Sequence, residues 1–276
     1  MKGSVIHRVR RAARVRLDRL LAERGLAASR EEAQRLILAG RVRVDGRPVD
    51  KAGAPVRGDA ELGVLGRSPY VGRGGEKLEA ALGAFGVDVA GKVCLDVGAS
   101  TGGFTHCLLL HGARRVYAVD VGHGQLHPLL RSDPRVIALE GVNARALLPS
   151  LFPEPPELAT VDVAFISLEK VLPAVAGCLA PGGVIVALVK PQFEVGRGRV
   201  GKGGVVRDPG RHREVLLRLA AFALAHGLGV RGVAVSPLRG PKGNREFLLH
   251  LAAGGGPSIE VGPAIERLLA PARPPA

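Results

Sequence analysis

The sequence predicts an α/β protein: a mostly parallel sheet covered on both faces and closed at one end by an antiparallel hairpin, with a small α+β domain in front. Three observations predict this. Apolar runs of strand length recur near 93–97, 115–120, 135–139, 160–166 and 184–190, each followed by a helical or loop segment, the pattern of a parallel sheet with crossovers. Two later strand-like runs, 230–235 and 246–251, flank the Gly- and Pro-rich stretch from Pro237 to Asn244, which suits an antiparallel return. Ahead of all these, residues 15–65 hold a compact pattern of two short helices and a hairpin.

Each element has local reasons. In the front segment Leu17, Leu20 and Leu21 share one helix face. Ser29 is a good N-cap and Glu32 completes a capping box; the helix through Ala33, Leu36 and Ile37 then stops at Gly40, placed as a C′ glycine. Val42 and Val44 alternate with Arg41 and Arg43 before a turn at Asp45-Gly46, so the hairpin turns its arginines outward. Gly63, Gly66 and Pro69 mark a linker. The expected organisation is a basic arm over 1–14, a small domain over 15–66, the α/β domain over 67–253 and a C-terminal extension over 254–276 with a Pro-rich end. Residues 171–189 carry no charge over a membrane-spanning length, but Pro181-Gly182-Gly183 breaks them into a helix, a turn and a buried strand.

Composition narrows the function. The net charge is +14 over 276 residues, and residues 1–66 hold 15 Lys and Arg against 8 Asp and Glu, so half of the excess lies in the first quarter. That asymmetry points to a polyanionic partner, most often nucleic acid. Cys94, Cys107 and Cys178 are odd in number, lack a CxxC spacing and sit in apolar contexts, so they read as core residues of a reducing compartment. His123 and His127 have i, i+4 spacing, but Pro128 follows and no acid stands nearby, so no metal site is expected. The basic N-terminus has no apolar segment of the export type, which favours a cytoplasmic protein without membrane attachment.

The chemistry gathers at the strand ends. Val93 to Val97 is an apolar run interrupted by Asp96 and followed by Gly98-Ala99-Ser100-Thr101-Gly102-Gly103-Phe104, a turn whose glycines admit a ligand against the main chain. A second strand, Val116 to Val119, ends in Asp120, where a carboxylate can accept from a ribose diol. The loop lacks the GxGxxG spacing of dinucleotide binders, and no phosphate-cradling lysine follows it, so a nucleoside without phosphates fits better; S-adenosylmethionine is the common one. Asp162 and Lys190 fall at the ends of later strands, Lys77 follows Arg73-Gly74-Gly75, and Glu246 opens an otherwise apolar strand. Two lysines and two carboxylates suit the deprotonation of a weakly acidic alcohol such as a ribose 2′-hydroxyl. A lysine can take that proton only when neutral, a state favoured by desolvation and nearby positive charge and opposed by carboxylates.

Two stretches carry a resemblance to known families. Arg16-Leu17-Asp18-x-x-Leu21, Ser29-Arg30-x-x-Ala33 and Ile37-x-x-Gly40-x-Val42-x-Val44-Asp45-Gly46 resemble the S4-type RNA-binding domain, which implies phosphate contacts at Arg16, Ser29, Arg30, Arg35, Arg41 and Arg43. From Tyr70 to about His250 the chain looks like the TlyA family within the FtsJ-like ribose methyltransferases. The motifs are Arg73-Gly74-Gly75-x-Lys77-Leu78, the Asp96–Thr105 loop, Ala118-Val119-Asp120-Val121-Gly122-x-Gly124-Gln125-Leu126, Phe165-Ile166-Ser167-Leu168, Leu188-Val189-Lys190-Pro191-Gln192-Phe193-Glu194 and Gly240-Pro241-x-Gly243-Asn244-x-Glu246-Phe247. Gly72 and Ala164 stand where that family usually has Ser, and Glu140-Gly141-Val142-Asn143-x-Arg145 replaces a more polar stretch. The resemblance implies a Rossmann-like methyltransferase fold, S-adenosylmethionine as donor and a catalytic tetrad on Lys77, Asp162, Lys190 and Glu246. It also implies donor contacts at Asp96, Gly98, Ala99, Ser100, Gly102, Gly103, Phe104, Asp120, Val121, Asn143 and Asp162. Family members methylate the cytidine 2′-oxygen in ribosomal RNA, and several carry a haemolysin label. The expected partner is therefore ribosomal RNA or a ribosomal subunit, with no protein partner evident. The rival readings are a non-catalytic RNA-binding assembly factor, against which the intact tetrad argues, and a pore former, for which neither an export signal nor a membrane hairpin is seen.

Overall fold

A computed structural model describes residues 14–65, 68–196, 198–240, 242–256 and 258–270; the expected basic arm (apart from Arg14), Gly66 of the linker and the end of the Pro-rich tail lie outside them. The chain divides into two compact units, Met1–Arg67 and Ser68–Ala276.

The front unit runs β1 (Arg14–Arg16), α1 (Leu17–Glu23), α2 (Arg30–Leu38), β2 (Val42–Val44), β3 (Arg47–Pro48), β4 (Pro55–Arg57) and β5 (Leu62–Val64). Leu17, Leu20, Leu21, Ala33, Ile37 and Val42 form its core. The Ser29 hydroxyl accepts from the Glu32 N–H at 3.2 Å, as a cap should, but Glu32 returns its bond to the N–H of Ala28 rather than to that of Ser29. At the other end of α2, Gly40 takes a φ of +66°, and the N–H groups of Gly40 and Arg41 reach the carbonyls of Ile37 and Leu36, the Schellman arrangement. Asp45 and Gly46 both have positive φ, so β2 and β3 join through the two-residue turn expected.

The second unit runs α3 (Gly74–Phe85), β6 (Val93–Val97), α4 (Gly103–Leu110), β7 (Arg115–Asp120), α5 (Pro128–Arg131), β8 (Val136–Glu140), β9 (Leu158–Val161), α6 (Leu172–Gly177), β10 (Val184–Val189), α7 (Pro191–Glu194), α8 (Pro209–Ala225), β11 (Leu228–Val235), β12 (Phe247–Ala253) and α9 (Val261–Leu269). The seven strands lie in the order β11-β12-β10-β9-β6-β7-β8, with β10, β9, β6, β7 and β8 parallel and β12 antiparallel to both β10 and β11. Alternation along β6 sends Val93, Leu95 and Val97 into a core shared with α6 and α8, and Cys94 into another shared with α3 and α4. Ile265 of α9 joins the first core, so the segment beyond residue 254 packs onto the second unit through a helix. All three cysteines are free and buried.

One expected strand is shorter than its apolar pattern. Of the run near 160–166, only Leu158–Val161 is strand; residues 162–167 leave the sheet, with Phe165 at a φ of +63°. Val163, Phe165 and Ile166 read as strand residues because they are apolar, but they line a cavity instead. No helix among the described residues is long and apolar enough to cross a membrane.

Candidate active site

Strand order makes the site. The chain leaves β6 for β7 and β8 on one side and returns as β9 on the other, so a crevice opens beyond the carboxyl ends of β6 and β9. Gly98 follows β6 there with a φ of +85°, and a Cβ on it would lie 2.4 Å from the carbonyl oxygen of Asp162, so only glycine fits. Asp120, ending β7, accepts from the backbone N–H groups of Ser100 and Gly122, each at 2.8 Å, and thereby ties the two loops that follow β6 and β7. A cavity of about 1030 Å³ opens above them. Gly98, Ser100, Asp120, Val121, Asn143 and Asp162 lie on its wall. Val121 is 70% exposed, an apolar surface beside the Asp120 carboxylate. The Asn143 side-chain oxygen accepts from the N–H of Arg145 at 3.0 Å.

The other predicted donor residues stand behind this wall. Asp96 is fully buried; it accepts from Thr105 Oγ1 at 2.7 Å and Thr160 Oγ1 at 3.0 Å, and burial pushes its carboxyl up to about 6. It braces β6 against α4 and β9 rather than reaching the cavity. Ala99 and Phe104 are buried, and Cβ atoms on Gly102 and Gly103 would meet Leu126 and Leu130, and the backbone of Gly72, Gly74 and Gly75, respectively. The loop glycines thus let α4 pack against the start of α3. Gly72 belongs to the same contact: a Cβ there would lie 2.9 Å from Thr101 Oγ1, so a Ser at this place asks only that the Thr101 side chain turn.

The tetrad resolves into two ion pairs. Lys190 Nζ lies 2.6 Å from Asp162 Oδ1, and Lys77 Nζ lies 2.6 Å from Glu246 Oε2. Register brings them together: Val189 pairs with Phe247 across β10 and β12, so the next residues on the two strands are Lys190 and Glu246, while Asp162 follows β9 on the other side of β10. Lys77 arrives from the first turn of α3, which approaches closely because Gly75 packs under the Tyr70 ring. Of the four, Asp162 alone lies on the cavity wall. Asn244, buried beside Glu246 in sequence, accepts from the N–H of Val206 and donates to the carbonyl of Gly204, fixing the loop before β12.

Sequence reasoning missed much of the wall after Asp162: Phe165, Ser167 and Lys170 on one segment, Gln192 and Phe193 on another, with Gln125 and Arg145 opposite. The signal was present, since most of these residues lie in the quoted motifs. Phe165 is 91% exposed and its ring centroid lies 5.0 Å from that of Phe193.

In the front unit, two of the predicted phosphate contacts are already paired. The Arg16 guanidinium donates to both oxygens of buried Asp18, and Arg30 and Gln34 donate to Oδ2. With the Arg19 N–H these hold the Asp18 carboxyl well below the usual carboxylate range, Arg16 contributing most. Ser29 is occupied as a helix cap. Arg35 and Arg41 are exposed, and Arg43 donates to the Gly46 carbonyl at the hairpin turn.

Comparison with known proteins agrees with this architecture. Residues 70–253 match the FtsJ-like methyltransferase family and residues 15–62 match the S4 domain. The chain is 50% identical over 242 residues to the 16S/23S rRNA (cytidine-2′-O)-methyltransferase TlyA of Mycobacterium tuberculosis, covering 87% of this chain and 90% of that one. It is 43% identical to Hemolysin A of Brachyspira hyodysenteriae, over 86% of this chain and 99% of that one. A solved structure from Streptococcus thermophilus, described as a candidate hemolysin, superimposes with a TM-score of 0.73 at 44% identity, covering 93% of this chain and 94% of that one. The chain belongs to the TlyA family of FtsJ-like methyltransferases and carries an S4 domain at its front.

Proposed function

We propose that this protein transfers a methyl group from S-adenosylmethionine to the 2′-oxygen of a cytidine in ribosomal RNA. The observation that carries the reading is the pair of lysine–carboxylate bridges at the ends of three adjacent strands, beside a cavity whose far wall presents Asp120. The wall fits the donor: Asp120 for the ribose diol, Val121 and the Asn143 amide for the base, and the close backbone at Gly98. When bound, the donor supplies an electrophilic methyl group on a sulfonium.

The remaining chemistry belongs to the chain. Lys190 takes the proton from the ribose 2′-hydroxyl as that oxygen bonds to the methyl carbon, and the electrons of the breaking carbon–sulfur bond stay on sulfur. From the cavity wall Asp162 holds Lys190 Nζ at 2.6 Å and stabilises the ammonium that forms once Lys190 has taken the proton. Lys77, held by Glu246, orients the acceptor ribose from the side of α3. The exposed ring of Phe165 receives the acceptor base by stacking, which RNA-modifying sites use because unstacked bases lose their neighbours. Arg145 and Lys170 on the same wall favour an anionic acceptor, and the exposed arginines of the S4 domain bind RNA phosphates, as the M. tuberculosis relative's name as an rRNA methyltransferase fits.

The test is incubation of purified protein and methyl-labelled S-adenosylmethionine with unmodified ribosomal subunits, followed by mass-spectrometric mapping. Label on a cytidine 2′-oxygen is expected; no label on either subunit, or label on a base or protein, overturns the reading.

A further inference from the structure

Glu194 is a buried carboxylate that the transfer chemistry leaves unused. It ends α7 and is 4% exposed. Its Oε2 accepts from the Ser167 hydroxyl at 2.7 Å and its Oε1 from the Leu168 N–H at 2.9 Å. Arg218 of α8 donates to the Glu194 carbonyl at 2.6 Å and to Oε2 at 3.3 Å, and its Nε also reaches Glu169 Oε1 at 2.9 Å. Burial pushes the Glu194 carboxyl up, against the pull of these partners.

These bonds fall at one end of the loop from Asp162 to Leu168. The other end is fixed by the Asp162–Lys190 pair, so both anchors reach the short segment 190–194. Between them stands Phe165, with a φ of +63° and its ring on the cavity wall in contact with Phe193 of that same segment. A left-handed backbone is strained for an aromatic residue, and a ring 91% exposed recovers little by burial. Such a conformation persists only where its flanks are held.

We propose that Glu194 is a positioning residue for the acceptor nucleotide: through Ser167 and Leu168 it clamps the 162–168 loop so that the Phe165 ring is presented to the base. What Phe165 meets rests on the function proposed above; the clamp itself does not.

The test uses the full chain with Glu194→Ala, Glu194→Gln, Ser167→Ala, Phe165→Ala and the Glu194→Ala/Phe165→Ala double variant. Hydrogen exchange needs no RNA: Glu194→Ala raises exchange at 163–168 by about tenfold or more while β6, β9 and β10 are unchanged, because one local clamp is released. Unchanged exchange in that loop overturns the proposal. In methyl transfer to ribosomal RNA, Glu194→Ala and Phe165→Ala both raise the RNA KM with donor affinity unaltered. The double variant is no worse than Phe165→Ala alone, since the first residue acts through the second. Glu194→Gln, which keeps an acceptor for Leu168 and can donate to Ser167, recovers most of the loss. Losses that multiply in the double variant overturn the assignment. If Glu194→Ala does not fold, Ser167→Ala removes one bond, leaves the charge satisfied and gives the same two readouts. A loop that loosens as expected in a protein that transfers no methyl group upholds the clamp and refutes the proposed function instead.

Discussion

Lys77 and Lys190 stand in ion pairs of equal length but in different surroundings, and removing each charge should therefore cost different amounts of stability. The side chains of Lys77 and Glu246 are 10% and 1% exposed, whereas those of Lys190 and Asp162 are 15% and 21% exposed and Asp162 faces the cavity. Lys77→Met keeps the apolar stem and removes the ammonium, leaving the buried Glu246 carboxylate without its charged partner. Breaking a buried pair in this way costs about 3–5 kcal/mol. Lys190→Met leaves a carboxylate whose paired oxygen Oδ1 is buried but whose side chain is 21% exposed beside the cavity, so its cost falls between those of a solvated and a fully buried pair, about 1–3 kcal/mol. At roughly 2–4 °C per kcal/mol for a domain of this size, Lys77→Met should lower the melting temperature of the methyltransferase unit by about 6–20 °C, and Lys190→Met by less, about 2–12 °C. The double variant Lys77→Met/Glu246→Gln, which leaves no orphaned charge, should recover most of the difference. Calorimetric melts of the four proteins at neutral pH decide it. Equal losses for the two single variants, or a double variant no more stable than Lys77→Met, would refute the reasoning.

Three further outcomes follow from the same geometry. Asp120→Ala removes the diol acceptor and frees the Ser100 and Gly122 N–H groups together; with charged hydrogen bonds worth roughly 1.5–3 kcal/mol each, donor affinity measured by calorimetry should fall more than about tenfold. Unchanged affinity would move the donor away from β7. Asp96 favours its protonated form when folded, so it supports stability below the ordinary carboxylate range and loses that support as pH rises through about 6, a change on the order of 3 kcal/mol. Asp96→Asn should accordingly gain on the wild type between pH 4 and pH 7.5 in paired melts, and a pH-independent difference contradicts this. Removal of residues 1–66 should leave a folded methyltransferase unit that binds donor but scarcely modifies RNA, with the slope of log affinity against log salt reduced by about 0.7–0.9 for each phosphate that the front domain neutralises in the full chain. An unchanged slope and unchanged methylation would show that the front domain is not the RNA anchor.

The strand ends were legible in the sequence because each is marked by a polar residue closing an apolar run: Asp120 after Val119, Lys190 after Val189, Glu246 before Phe247. Strand order was not written in any one segment, yet parallel pairing with short crossovers allows few alternatives, and the antiparallel end follows from the Gly- and Pro-rich return before Asn244. Two things could not be read. Asp96 and Asp120 have the same sequence setting, a carboxylate at the end of a strand, but Asp96 points into the α4 layer, where Thr105 and Thr160 await it. A two-residue period tells alternate faces, not which face meets the ligand. The 162–167 loop was hidden for the opposite reason, since its apolar residues imitate a strand while its positive φ and exposed Phe165 serve the cavity. In the front unit the arginines are visible in sequence, whereas the buried Asp18 that engages Arg16 and Arg30 shows its partners only in the fold.

The central claim is that Lys190 removes the proton from the acceptor hydroxyl. It is tested most directly by single-turnover methyl transfer to ribosomal RNA with Lys190→Ala at saturating S-adenosylmethionine, with the donor dissociation constant measured on the same preparation. The account predicts a loss of roughly 10²–10⁴-fold or more in the transfer rate, the usual worth of a positioned base, with donor affinity within about twofold of the parent. Transfer within a few-fold of the parent would contradict it.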